Sequence, residues 1–259
     1  MLALTREAKG WTQRDLADRS GLSQAVISKI ESGAVDVSGE RLEHLANVLD
    51  CPPSLLCRPT PRVDAANTCL HHRRRQSKLS ASATRRIEGI AHLTRVTVEG
   101  IFDGLNVQLA TDIGHGNDPR TPAIGRATGL DNSINATNAK SSGKDGGAAE
   151  PAPFDPSLAD AAARRLREHW NLQGPIANLT GTLERNGILV VYRSLGSRAQ
   201  DGVSSWPADL THPPIIVINE DLPPDRVRFT VAHELGHLLL HLVPSDDAER
   251  EANRFAAEF

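Results

Sequence analysis

The segment Val231-Ala-His-Glu-Leu-Gly-His-Leu-Leu-Leu-His241 constrains the chain most, because it sets two imidazoles and a carboxylate within five residues. On a helix, His233 and His237 stand one turn apart and point the same way. Imidazoles so placed can share one zinc ion, and Glu234, at the edge of that face, can take a proton from an attacking water. The pattern is short, and its surroundings add weight. Ile215 to Ile218 read as a buried strand, and Pro223-Pro224-Asp225 as a helix start. Arg226 to Leu242 then read as a helix with Phe229, Ala232, Leu235 and Leu239 available for its buried side. A core helix with incidental histidines would bury a His-Glu-His set at heavy desolvation cost.

Catalytic zinc keeps three protein ligands and one open position. His241 lies near the same face, but its spacing does not match the longer motif in which a third His follows a Gly. Downstream, Pro244-Ser245-Asp246-Asp247 reads as a turn and N-cap before a helix from Ala248 to Ala256. Glu249 or Glu251 on that helix can fold back and complete a His-His-Glu site, although both also suit a solvated helix face. Gly236 leaves room for a strand or second helix to approach the metal helix closely. His and carboxylate ligands suit zinc, and they also suit manganese or iron.

The other end of the chain carries a different pattern. Thr12 suits the N-cap of a helix from Gln13 to Arg19, and Ser20-Gly21-Leu22 a tight turn. Ser23 then caps Gln24 to Ser32, stopped by Gly33. Leu16, Ala17, Leu22, Val26, Ile27 and Ile30 fall at helical spacing and form the seam between the two helices, leaving Gln24, Ala25, Ser28 and Lys29 outward. That is the layout of a helix-turn-helix whose second helix can enter a DNA major groove. Gln can read adenine bidentately, while Ser and Lys suit phosphate or base-edge contacts.

At 259 residues the chain is expected to hold two domains and a connector. Aromatic residues make up only 3%, so the cores are expected to be mainly aliphatic. A net charge of −3 neither supports nor excludes DNA binding, and a weakly charged module usually gains affinity by dimerising on paired half-sites. His71-His72-Arg73-Arg74-Arg75 with Lys78, Arg85 and Arg86 is either an arm along the DNA backbone or a solvated face. Cys51, Cys57 and Cys69 read as reduced thiols; their irregular spacing with His71 and His72 argues against a second metal site. No apolar run spans a bilayer and no signal peptide is evident, so a cytoplasmic chain with no membrane partner is expected.

Between the two ends, Leu79 to about Leu109 carries a helical period through Ile87, Ile90, Ala91, Leu93 and Val96. From Thr111 to Pro153, Gly, Asn, Ser, Ala and Pro dominate, and such a stretch cannot bury enough apolar surface to offset its ordering entropy. Order is expected to resume at Pro156-Ser157 with a helix from Leu158 to His169, a second around Ile176 to Asn186, and a strand from Gly187 to Tyr192. The expected division is thus a helix-turn-helix domain at 1–57, a helical connector at 58–110 that is a candidate dimerisation element, a flexible insertion at 111–153, and a metal domain at 154–259.

The run Arg228 to His241 followed by Glu249-Arg-Glu-Ala-Asn-Arg-Phe-Ala256 resembles the ImmA/IrrE-type metallopeptidases, and the likeness covers roughly residues 155–259. Asp201-Gly-Val-Ser-Ser-Trp206 and Ile215-Ile-Val-Ile-Asn219 resemble the strands leading to that family's active-site helix. The resemblance implies an α+β zincin-like domain with a small sheet, and zinc held by His233, His237 and Glu249, with Glu251 as the second choice. It implies Glu234 as the catalytic base, and Asn253 and Phe255 as buttresses. Tyr192 and His212 are the candidate oxyanion donors, although a structural role suits each better. Family members continue with Leu-Met-Pro and further helix, so the expectation is either a domain cut short at Phe259 or an unusual natural end.

Residues 2–57 resemble the Xre, phage-repressor type of helix-turn-helix, through Trp11-Thr-Gln-Arg-Asp-Leu-Ala and Ile27-Ser-Lys-Ile-Glu-Ser-Gly33. This implies an all-α domain with Gln13 and Lys29 near phosphates and Gln24, Ala25 and Ser28 at base edges. Together the resemblances imply a multidomain regulator, expected to be a homodimer on double-stranded DNA, that cleaves a repressor or regulatory protein in stress response or mobile-element control. The alternatives are a transcription factor whose zinc fold senses without turnover, and an antitoxin-like autoregulator. Retention of Glu234, which a structural zinc site does not require, favours the enzyme.

Overall fold

The computed structural model describes residues 1–58, 79–105, 156–207, 212–241 and 247–259. Cys69, the basic run from His71 to Lys78, the low-complexity stretch expected at 111–153 and the turn Pro244-Ser245-Asp246 lie outside the described residues. The described residues form two compact units: those within Met1–Val63 and Ser77–Asn106 with Ser194–Ala199, and those within Val107–Arg193 and Gln200–Phe259.

The first unit is helical: α1 (Leu2–Ala8), α2 (Gln13–Ser20), α3 (Gln24–Glu31), α4 (Gly39–Val48), the short α5 (Pro53–Leu56) and the long α6 (Ala81–Leu105). Local chemistry sets the boundaries of its central pair. The Thr12 hydroxyl accepts the Asp15 N–H, and the Asp15 carboxylate accepts the Thr12 N–H, so a capping box starts α2. Gly21 ends α2 in the left-handed region at φ 69°. Ser23 caps α3, and Gly33, at φ 73°, follows it. Leu16 and Ile27 are fully buried in the seam and pack with Leu2, Ala17, Leu45 and Leu49. Leu22 and Ile30 join from the edge of that cluster.

One buried charge locks the same helices. Arg6 on α1 donates to both oxygens of Glu31 on α3 at 2.6 and 3.0 Å, and to the Trp11 carbonyl at 2.7 Å. A pair this buried needs those extra bonds to offset its desolvation. The helical period at 79–109 forms α6, with Ile87, Ile90, Ala91 and Val96 buried. It packs on α1 through Gly89, where a Cβ would lie only 2.7 Å from the Ala8 nitrogen.

The second unit contains α7 (Pro156–His169), α8 (Leu179–Arg185), β1 (Leu189–Arg193), β2 (Gly202–Ser205), β3 (Ile215–Asn219), α9 (Pro224–Leu240) and α10 (Ala248–Glu258). The sheet runs β1-β3-β2, with β1 parallel and β2 antiparallel to the central β3. All five residues of β3 are buried: the aliphatic run Ile215 to Ile218 suits a strand covered on both faces, and Asn219 donates from its side chain to the Gln200 carbonyl at 3.0 Å. Helix α9 lies against β2 and β3, while α10 packs between α9 and α7. Phe255 anchors that layer at 0% exposure. Arg254 and Asp160 form a bidentate bridge at 2.6 and 2.7 Å that ties α10 to α7.

Three expectations need correction. Phe229 is not buried; it is 46% exposed, in the first turns of α9, where the unbroken buried run begins only at Thr230. The helix expected over 176–186 is only Leu179–Arg185, started by the Asn178 side chain, which accepts the Gly181 N–H at 2.9 Å. The metal helix ends at Leu240 rather than at Leu242, with His241 beyond its last turn at φ −123°.

Candidate metal centre and recognition helix

Helix α9 presents His233 and His237 as neighbours one turn apart, and both are almost fully buried at 2 and 3% exposure. Their Nε2 atoms face one another at 3.0 Å. From α10, the Glu249 carboxylate approaches the same point, 3.6 Å from His233 Nε2 and 3.5 Å from His237 Nε2. Gly236 permits this approach: a Cβ there would lie 3.1 Å from the Phe255 ring and 3.2 Å from the Ala252 Cα. The donor atoms of His233, His237 and Glu249 all lie within 4.8 Å of one another. A tetrahedral zinc with bonds near 2.0–2.1 Å spaces its ligand atoms by about 3.3 Å. The three separations bracket that value, so the donor set fits the ion in both chemistry and spacing.

The outer nitrogens are also engaged. His233 Nδ1 lies 3.0 Å from Asn253 Oδ1. An amide oxygen only accepts, so this ring carries its proton on Nδ1 and turns a bare Nε2 inward. Burial pushes the His237 imidazole down to about 3, against the smaller upward pull of Glu249, and so keeps it neutral. Neutral imidazole is the form that ligates a metal. Glu251 does not share the cluster; its carboxylate lies 2.7 Å from His241 Nε2.

Glu234 is 1% exposed and accepts a hydrogen bond of 2.8 Å from the Ser204 hydroxyl on β2. Gly202 on the same strand lets it fit, since a Cβ there would come within 3.0 Å of Glu234 Cγ and of Thr230 Cγ2. The strand thus fixes one carboxylate oxygen of a residue that adjoins His233 in sequence.

In the first unit, Gln24, Ala25, Ser28 and Lys29 are all exposed on α3, with Ile27 buried behind them. Gln13 is half-buried and donates from its amide to Glu31 at 2.8 Å, so the carboxylate that holds Arg6 also orients Gln13.

Comparison with known proteins agrees with both ends. Residues 2–56 match the family model described as helix-turn-helix, and residues 183–259 match the model of a peptidase family described as the IrrE N-terminal-like domain. The chain joins an Xre-type helix-turn-helix to an IrrE/ImmA-like domain. No curated protein and no solved structure matches it. Among the described residues, no helix is long and apolar enough to cross a membrane.

Within the IrrE-like domain, sequence reasoning missed three contacts, Ser204 with Glu234, His241 with His237 and His241 with Glu251. Ser204 was visible only as part of a strand, and nothing local reveals which side chain a strand serine meets. Tyr192 lies on β1, at the opposite edge of the sheet from the β2 strand that carries Ser204, and its hydroxyl is 3.2 Å from Thr180 Oγ1. His212 is half-buried just before β3.

Proposed function

We propose that the chain is a DNA-binding regulator whose IrrE-like domain is a zinc-dependent endopeptidase that cleaves a repressor-like or regulatory protein. The principal support is the convergence of His233, His237 and Glu249, with Glu234 held beside them by Ser204. A structural zinc site requires no such buried base. In this proposal residues 1–57 bind DNA, 58–110 form a dimerising connector, and 154–259 carry the hydrolytic site.

His233, His237 and Glu249 would hold the ion, which supplies a Lewis acid for the scissile carbonyl and eases ionisation of the attacking water. Glu234 takes the proton of that water as its oxygen bonds to the carbonyl carbon. The same carboxylic acid then protonates the leaving nitrogen as the C–N bond breaks, which returns Glu234 to its charged form. Ser204 holds one carboxylate oxygen throughout. In the helix-turn-helix, Gln24, Ala25 and Ser28 face base edges in the major groove, while Gln13 and Lys29 take phosphates. A second copy occupies the paired half-site.

Glu234→Gln tests the catalytic part. The variant should keep metal and DNA binding and lose cleavage by about 10²–10⁴-fold. The readout is quantitative profiling of new protein N-termini in cells that carry wild type or the variant. A variant that generates the same new termini, and leaves every cellular effect intact, would defeat the peptidase reading and favour a sensor or autoregulator.

A further inference from the structure

His241 and Glu251 are absorbed neither by the three-residue metal cluster nor by the general base, yet they are joined to the cluster by hydrogen bonds. The His241 imidazole is 2% exposed, with Nε2 2.7 Å from Glu251 Oε2 and Nδ1 3.0 Å from His237 Nδ1. A carboxylate only accepts, so His241 carries a proton on Nε2. In the neutral ring, Nδ1 is then an acceptor, and the proton in the 3.0 Å contact belongs to His237 Nδ1. This leaves His237 Nε2 bare. His233 Nε2 is bare as well, because Asn253 takes the proton on the other side of that ring.

Two lone pairs 3.0 Å apart repel unless a cation lies between them. The competing arrangement moves the His237 proton to Nε2, where it donates to His233 and closes the site. We propose that Glu251 and His241 are positioning residues that hold His237 in the Nδ1–H tautomer and keep its inner nitrogen open for the metal. This rests on the reading that His233, His237 and Glu249 bind a divalent cation. Glu251 is therefore the far end of the relay, two residues from the carboxylate assigned to the metal. Helix geometry allows both jobs on α10, since residues two apart point to different sides.

The test is zinc(II) affinity of the full chain, measured by competition with a chromophoric chelator, together with the visible spectrum on cobalt(II) titration. His241→Leu, which removes the acceptor, should weaken zinc binding by about 10–100-fold and shift the cobalt bands. His241→Gln, whose amide can both accept from His237 and donate to Glu251, should restore most of that affinity. Glu251→Gln alters a partly exposed residue outside the core, and should give an intermediate loss with an unchanged circular dichroism spectrum. Wild-type affinity in folded His241→Leu and Glu251→Gln would overturn the relay while leaving the metal site intact. Equal losses in His241→Leu and His241→Gln would assign the effect to packing, and would also overturn it. A wild type that takes up no zinc or cobalt would instead contradict the metal reading on which the relay depends.

Discussion

Helices α3 and α9, proposed to read DNA and to hold a metal, meet opposite demands. On α3 the residues assigned to function are exposed, and the core behind them is complete without them. On α9 they are buried, and they fill space that α10, β2 and β3 close around. A surface reader can therefore change its specificity with little effect on its fold, whereas the buried centre couples stability to chemistry. Each perturbation below separates or merges those two properties.

The largest effect should come from Phe255→Ala. Its ring is wholly buried against Gly236, so the deletion should cost about 3–5 kcal/mol in denaturant unfolding. Because α10 also carries Glu249, zinc affinity should fall in the same variant. Unfolding with unchanged zinc affinity would break the proposed coupling. Gly89→Ala comes next: its Cβ would strike the α1 backbone, which should cost the helical unit about 1–3 kcal/mol. Zinc affinity of the folded variant should not change.

The recognition helix should behave in the opposite way. Gln24→Ala with Ser28→Ala should leave stability within about 0.5 kcal/mol. The same pair should weaken binding to the protein's own promoter region by about tenfold or more, read by a fluorescence-anisotropy titration at fixed salt. Unaltered binding would remove α3 as the reading element. The smallest effect concerns Asp160, whose carboxyl the Arg254 guanidinium holds below its usual range chiefly by direct hydrogen bonding. A depressed carboxylate stabilises the fold above its unfolded pKa of about 4, and this contribution is lost as pH falls through the folded value. Asp160→Asn should flatten the acid limb of the stability curve below about pH 4 and leave the neutral region parallel to wild type.

What the sequence disclosed follows the range of each interaction. The start of α2, the turn at Gly21 and the cap at Ser23 are set by residues within four positions, and they form where expected. The proximity of His233 and His237 is equally local, a property of helical spacing. Glu249 against Glu251 was not local. It depends on how α10 is rotated, which in turn depends on the close contact of Gly236 with Ala252 and Phe255. Phe229 was misplaced because a single apolar stripe was drawn along α9, whose unbroken buried run begins only at Thr230. Ser204 with Glu234 and His241 with Glu251 arise only from the packing of separate elements, so no spacing in the sequence marks them.

The central claim is that His233, His237 and Glu249 together bind one catalytic zinc. Anomalous diffraction at the zinc edge, on crystals of the full chain grown with zinc, addresses it directly. The account predicts one peak about 2.0–2.2 Å from His233 Nε2, His237 Nε2 and a Glu249 oxygen, with Glu251 remaining on His241. A peak ligated by Glu251, or no peak between the two histidines, would contradict it.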